Sequence, residues 1–519
     1  MTNRERVLDE IVSDRRPWDI LVVGGGATGL GAAVDAAARG HRTLLVERHD
    51  FAQGTSSRST KLVHGGVRYL RQGRIGLVTE SLRERGRLLR NAPHLVHAIE
   101  FVIPVYRRLD AAWYGLGLGL YDRLAGRLAL GRSSRISRET VLGLAPTLAP
   151  DGLRGGVRFF DAQFDDARLA VHLAATADAL GGRVVNYVEV VRLVHHNGQV
   201  RGAIARDTET GREHAIEAKV VLNATGVFVD AVRRLDDAAA RTLVSPSQGA
   251  HVVLPRRFLP GDTAVLVPRT TDRRVLFAVP WHDHVVVGTT DTPVTEPQSE
   301  PVPLAAEIDF LLEHAARYLT GGPSRTDVRS VFAGQRPLVR SGARLSTAAL
   351  SRDHSVEVSR SGLVTITGGK WTTYRRMAQD AVDRAERVGG LAQRACRTED
   401  LRLHGAHDRA ADDTSLAAYG TDAEHVRALA AAEPALAEPL APGVTVTGAQ
   451  IVWAARAEMA RTVEDALSRR TRALVLDARA SLAAAPRVAA LLARELRRDA
   501  TWVARSVEDY RAAVARHLP

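Results

Sequence analysis

An α/β fold, entered through a Rossmann-like βαβ unit, continued by a β-rich domain and closed by a helical C-terminal domain, is predicted by this 519-residue sequence. Three stretches carry that reading. Residues 19–47, DILVVGGGATGLGAAVDAAARGHRTLLVE, run apolar, glycine turn, alanine-rich and apolar again, the pattern of strand, helix and strand. Around VLFAVPWHDHVVVGTTD (275–291), short valine-rich runs read as strands. In IVWAARAEMARTVEDALSRRTRAL (451–474), Ile451, Ala455, Met459, Val463 and Leu467 recur four apart and predict one face of a helix. Asp465 and Arg469 pair at i,i+4 on another face.

The entry unit has a specific chemistry. Gly24 permits a tight turn, Gly26 lets backbone approach a pyrophosphate, and Gly29 allows the helix to pack closely on the strand. Thr28 falls in the first turn of that helix, whose free N–H groups favour an anion. Glu47 ends the second strand, placed to accept hydrogen bonds from a ribose diol. A carboxylate there disfavours a 2′-phosphate, so the expected ligand is FAD or NAD rather than NADP.

Composition narrows the partners. With 45% hydrophobic and 25% charged residues the chain is globular, and its length allows roughly two to four domains. Cys396 is the only cysteine, which excludes an internal disulfide. A net charge of +12 favours anionic partners, but the arginines are spread along the chain. No basic block with interleaved aromatics occurs, so nucleic acid is not expected. The charged segment 1–16 is followed by no apolar leader, and no run reaches the roughly 18 residues of a spanning helix. Neither a secretion signal nor a metal ion is expected.

Residues 54–70, GTSSRSTKLVHGGVRYL, lie just beyond the βαβ unit. Thr55, Ser56, Ser57, Ser59 and Thr60 offer hydroxyls to phosphates or a flat ring. Gly65 and Gly66 permit close backbone approach, and Arg68 suits a phosphate dianion. The chain has three lysines, Lys61, Lys219 and Lys370, so one within this block is conspicuous.

Taken with NATG (223–226), GTTDT (288–292), GQRPL (334–338) and GGKWTTYR (368–375), the glycine turn and the 54–70 block resemble the FAD-dependent (aerobic, respiratory) glycerol-3-phosphate dehydrogenases. The likeness runs along nearly the whole chain. It implies an FAD-binding domain of the glutathione-reductase/D-amino-acid-oxidase-like type, discontinuous over 17–90, 155–235 and 330–385. A substrate domain over 91–154 and 236–329 and a helical domain over 395–519 complete the expected layout.

The resemblance further implies that FAD, held non-covalently, is lined by Gly24, Gly26, Thr28, Gly29, Glu47, Thr55, Ser56, Ser57, Ser59, Lys61, His64, Gly65, Gly66, Val188, Ala224, Thr225, Gly226, Gly334, Gly369, Lys370 and Thr372. The implied reaction takes sn-glycerol 3-phosphate to dihydroxyacetone phosphate, with hydride passing from C2 to flavin N5. Arg68, Arg336, Arg352 and Lys370 would hold the substrate, and His64 is the preferred base, with His251 and Arg336 as competitors. Lys61 is expected to serve the flavin or local structure. A membrane quinone is the implied acceptor, with oxygen as the alternative; a non-catalytic flavin-binding, redox-responsive protein is the reading from another class. The expected setting is cytoplasmic, peripheral at the inner face of an anionic membrane, with a homodimer as one form of assembly. In WYGLGLGLYDRLAGRLALGR (113–132), Leu116, Leu120, Leu124 and Leu128 form a stripe flanked by Arg123 and Arg127. An interfacial helix and an ordinary buried one both fit it.

Overall fold

Strand Trp18–Val23 lies at the centre of the first sheet, where a continuous apolar run is needed because both faces are covered. It pairs in parallel with Thr43–Val46 on one side and Glu213–Asn223 on the other. Arg183–Val185 and Val364–Gly368 extend the parallel set, and His354–Val358 closes one edge antiparallel. Helix Ala27–Ala38 packs on helices Asp166–Ala179 and Tyr374–Val388, and together they bury Leu30, Ala33, Leu173, Met377 and Ala381 against the sheet. The computed structural model describes residues 1–66, 69, 73–107, 110–268, 270–271, 274–340, 353–407 and 415–519.

The second sheet is antiparallel apart from one parallel pair, Ala264–Val267 with Val96–Val105. Its long strand Val244–Pro255 pairs with His284–Gly288 and Ser330–Val339. Helix Ala305–Tyr318 covers one face through Ile308, Leu311 and Leu312.

Three segments depart from the expected layout. Leu62–Val63, Gly155–Phe164 and Ser330–Val339, read from sequence as parts of the nucleotide-binding unit, are strands of the second sheet. Their partners lie far away in the chain, and local pattern says nothing of which sheet a strand joins. The chain then re-enters the first unit through helix Asp166–Ala179 directly after Phe164.

The expected helix of the C-terminal region is also broken. Helix Gly448–Ala457 stops, Met459 takes a left-handed backbone (φ +54°), and Asp465–Arg470 forms a wide π turn. Ile451, Val463 and Leu467 share one core, whereas Met459 packs into the core of the first sheet. The Asp465–Arg469 pair does form, at 2.6 Å, but fully buried. Beside the π turn, Asp50 receives Arg469 Nε at 2.6 Å and Arg470 Nη1 at 2.7 Å. Successive residues of an α-helix diverge by about 100°, so two neighbouring arginines converge on one carboxylate more readily from a widened turn.

The leucine stripe does not present one face to solvent. Helix Asp110–Ala125 buries Leu118, Tyr121 and Ala125, and Leu124 packs beside them against Val78 and Leu82. Leu128 lies against Gly86, while Leu120 is 42% exposed. The side chains of Leu116 and Arg127 lie outside the described residues. No helix of the described residues is long and apolar enough to cross a membrane.

Candidate active site

The first strand delivers Gly24 at φ +110°, where a β-carbon would sit 2.8 Å from the Ala224 carbonyl oxygen. At Gly29 a β-carbon would collide with the Gly24 carbonyl, so the helix can begin directly on the turn. Gly29 therefore serves packing and does not face the cavity. Glu47 accepts from Gly25 N–H at 2.6 Å and from His49 N–H at 2.8 Å, holding the turn while it also lines the cavity. Ser56 Oγ accepts the first helical N–H, from Ala27, at 2.9 Å.

These residues open on a cavity of about 560 Å³. Gly24, Gly26, Thr28 and Glu47 line one part of it, and Thr55 and Ser56 another. Val188, Ala224, Thr225, Gly226, Gly369 and Lys370 line it as well. The 224–226 stretch is shaped by Asn223, whose carboxamide donates to Val229 O at 2.9 Å and accepts from Thr225 Oγ1 at 2.8 Å. Ser299 reaches the cavity from loop 294–303, tied down by Arg48 Nη2 to Ser299 Oγ (2.8 Å) and by Glu300 to Gln53 and Arg58.

The 54–66 block divides into two roles. Thr55 donates to Gln335 O at 2.6 Å, seating the 3-10 turn Thr55–Ser57 on the second sheet. Lys61 is enclosed: its ammonium donates to Asp166 at 2.7 Å and to Ser57 O at 2.8 Å. Ser59 gives both its N–H and its hydroxyl to the same carboxylate, at 3.0 and 2.7 Å. Ser57, Ser59 and Lys61, expected to line the cofactor, instead brace the loop from beneath. Burial pushes the Lys61 ammonium down to about 7 against the pull of Asp166. Gly334, also expected to line the cofactor, packs against the loop. A β-carbon there would press on the Arg58 backbone at 2.9 Å, so it serves sheet-to-loop packing.

The His-Gly-Gly turn and the Gly-Gly-Lys turn meet. His64 N–H donates to Thr372 Oγ1 at 3.2 Å, and Thr372 donates back to His64 O at 3.3 Å. Trp371 Nε1 donates to Ser56 O at 2.9 Å. Gly66 (φ +82°) passes Lys370 Nζ, which lies 5.1 Å from the Tyr69 ring centre. Gly65 N–H donates to Tyr121 Oη at 2.7 Å, and that hydroxyl donates to Asp161 at 2.8 Å. Asp161 in turn holds Arg85 at 2.6 Å.

On the second sheet, Arg336 Nη2 donates to Thr289 Oγ1 and Thr290 O, both at 3.2 Å, and Nη1 lies 3.4 Å from Asp291. Arg274 holds the other Asp291 oxygen at 3.2 Å. His251 stacks on Phe332 with ring centres 4.6 Å apart, its Nε2 2.8 Å from Thr60 Oγ1. Burial, then the charges of Lys61 and Arg336, hold its pKa well below the usual histidine value. His251 Nδ1 and Gln335 Nε2 are buried with no protein partner. Arg68 and Arg352 lie outside the described residues.

Sequence reasoning passed over Arg274, Asp291, Asn223, Gln335 and Tyr121. Asp291, Asn223 and Gln335 stood inside motifs already noted, so their signal was present. Tyr121 carried none, since Gly65 lies 56 residues away.

The FAD dependent oxidoreductase family model matches residues 19–375, and the model of the C-terminal domain of alpha-glycerophosphate oxidase matches 364–502. The mitochondrial glycerol-3-phosphate dehydrogenase of Arabidopsis thaliana is 41% identical over 93% of this chain and 84% of its own length. The human mitochondrial enzyme is 40% identical over 93% of this chain and 71% of its own. Among solved structures, the glycerol-3-phosphate dehydrogenase of Bacillus halodurans, complexed with FAD, has a TM-score of 0.82 at 28% identity. It covers 99% of this chain and 98% of its own. The L-alpha-glycerophosphate oxidase of Mycoplasma pneumoniae shares the fold at TM-score 0.58 and 18% identity, over 72% of this chain and 95% of its own.

Proposed function

Since this chain belongs to the family of FAD-dependent glycerol-3-phosphate dehydrogenases, with FAD as its cofactor, we propose that it oxidises sn-glycerol 3-phosphate to dihydroxyacetone phosphate and passes the electrons to a membrane quinone. The cradle fits the cofactor. A β-carbon at Gly24 would press on Ala224 and one at Gly26 on Ser56, so bare backbone faces the cavity at the helix start. In this reading Gly24, Gly26 and Thr28 hold the pyrophosphate, Glu47 the ribose, and Val188 flanks the nucleotide end, all without a covalent link. Ala224, Thr225, Gly226, Thr55, Ser56, Gly369 and Lys370 bound the ring end. When bound, FAD supplies the acceptor for hydride from the substrate C2, at its N5.

The chain's own contribution is positioning and proton handling. Arg336 and Lys370 bind the substrate oxygens, with Arg68 and Arg352 added on the strength of the family likeness. A guanidinium fork fixes a phosphate or diol in one orientation, which sets C2 against the ring. His64 and His251 are the candidates for the C2 hydroxyl proton. His251 is stronger on geometry: Nε2 is engaged by Thr60, whereas Nδ1 has no protein partner. Burial, and after it the charges of Lys61 and Arg336, keep that imidazole neutral and able to accept.

The observation that carries the proposal is the meeting, at one end of the dinucleotide cavity, of the His64–Gly66 turn with Lys370 and Thr372. Anaerobic addition of glycerol 3-phosphate to purified protein should bleach the flavin absorbance; an unchanged spectrum refutes it. Oxygen is the second acceptor, favoured by the C-terminal match to an oxidase domain model. Turnover with a quinone analogue against peroxide yield in air separates the two. Attachment at an anionic membrane face belongs to the same proposal, and co-sedimentation with anionic vesicles tests it.

A further inference from the structure

We infer that the C-terminal helical unit positions the cofactor-lining loop through a row of three buried arginines, with Arg472 as the positioning residue nearest the reactive end. The kinetic part of this inference rests on the reaction proposed above; the contacts do not.

The row clamps the loop at both ends. Arg469 and Arg470 hold Asp50, whose carboxylate also accepts from Asn186. Arg472 reaches the far end, donating through Nη2 to Ser57 O and to Asp166, both at 3.0 Å. Its Nη1 is tied back to Ser468 O at 2.9 Å, so the guanidinium cannot swing. Between the clamps lie Gly54, Thr55 and Ser56, which line the cavity. Just beyond them lies Thr60, the partner of His251.

Two features set Arg472 apart from ordinary interdomain adhesion. It takes a left-handed backbone, φ +67°, directly after the π turn, a conformation non-glycine residues hold only when packing imposes it. It also shares both acceptors with Lys61, which donates to the same Ser57 carbonyl and the same Asp166. The loop geometry therefore depends on two cations, one from the loop itself and one from a residue some four hundred positions later (|i−j| = 415 for the Ser57 contact). Asp165, 3.5 Å from Arg472 Nε, is the other carboxylate at this junction, and the Trp281 ring lies 5.4 Å away. All of these groups are buried, so salt screens them little.

The test uses full-length holoprotein carrying Arg472→Met and Arg472→Lys. Three readings are taken: visible circular dichroism of the bound flavin, the rate of FAD release on dilution, and anaerobic flavin reduction by glycerol 3-phosphate per bound FAD. In R472M, FAD release should quicken and reduction slow by at least about tenfold each, with an altered flavin spectrum. R472K keeps a cation for Ser57 O and Asp166 and should return both rates to within about threefold. Wild-type release and reduction in R472M, even with a lowered unfolding temperature, would make Arg472 adhesive only and overturn the inference. If R472M yields no folded holoprotein, Arg472→Gln replaces it in the same comparison. Failure of the wild-type flavin to bleach would refute the proposed reaction alone. The release rate and spectrum would still decide the role of Arg472.

Discussion

Replacing Arg336 with lysine keeps the charge and removes the fork, which makes it the sharpest test of the proposed substrate site. The guanidinium spreads its donors over Thr289 Oγ1, Thr290 O and Asp291, and a single ammonium cannot hold these and substrate together. A hydrogen bond to a charged group contributes about 1.5–3 kcal/mol. Losing one from the oriented substrate predicts a fall of roughly 10- to 150-fold in the flavin reduction rate. Single-turnover reduction under anaerobic conditions measures it, because no electron acceptor enters that step. A second reading separates charge from geometry. Arg336 is one of the cations that lower the His251 pKa, so Arg336→Met should raise that pKa and move the acid limb of the reduction rate to higher pH. Arg336→Lys should leave the limb in place. A near-wild-type rate in the lysine variant, with flavin content normal, would remove Arg336 from the site.

Three further outcomes are expected. Glu47→Gln halves the carboxylate that holds Gly25 N–H and the proposed ribose, so FAD affinity should fall by about 1.5–3 kcal/mol, read by fluorescence titration of apoprotein; unchanged affinity would leave Glu47 a strand-end residue. Tyr121→Phe strands the Gly65 N–H and removes a donor from Asp161, at a cost of about 1–3 kcal/mol. A lower unfolding temperature is expected, and no shift would refute the network. Burial pushes the Asp50 pKa up, but Arg470 and Arg469 outweigh it and hold the pKa down, to about 2. Its folded value lies below the unfolded one, so its contribution is full above pH ~4 and is lost as pH falls toward ~2. Limited proteolysis of the 465–472 segment should therefore remain slow at pH 5 and quicken below pH 4, and a flat profile would refute the clamp at Asp50.

The parts of the site legible in the sequence were those made by backbone. Gly24, Gly26 and Glu47 stand where spacing put them because a turn between strand and helix has few solutions. Side-chain destinations were less legible. The sequence left Lys61 open between the flavin and local structure, because its partner Asp166 is 105 residues away and no local pattern announces such a pairing. The same holds for Gly155–Phe164 and Ser330–Val339, whose strand character was readable but whose sheet was not. The break after Ala457 was hidden for a related reason. The apolar spacing fits a helix, and Asp50, the partner of the arginines that follow the break, lies more than four hundred residues upstream.

The passage of the chain back and forth between the two sheets has a consequence at the ribosome. Strand Val364–Gly368 joins the same sheet as Trp18–Val23 and Thr43–Val46, beside Glu213–Asn223. At synthesis rates of about 5–20 residues per second, it emerges roughly 15–65 s after the first βαβ unit. From its own emergence until then, roughly 7–28 s, Glu213–Asn223 lacks its partner at Leu222 and Asn223, and an unpaired edge invites pairing with a neighbouring chain. Arg469, Arg470 and Arg472, which hold Asp50 and Ser57 of the cofactor-lining loop, arrive later still. A nascent chain with that edge unpaired is therefore open to whatever shields strand edges in the cell.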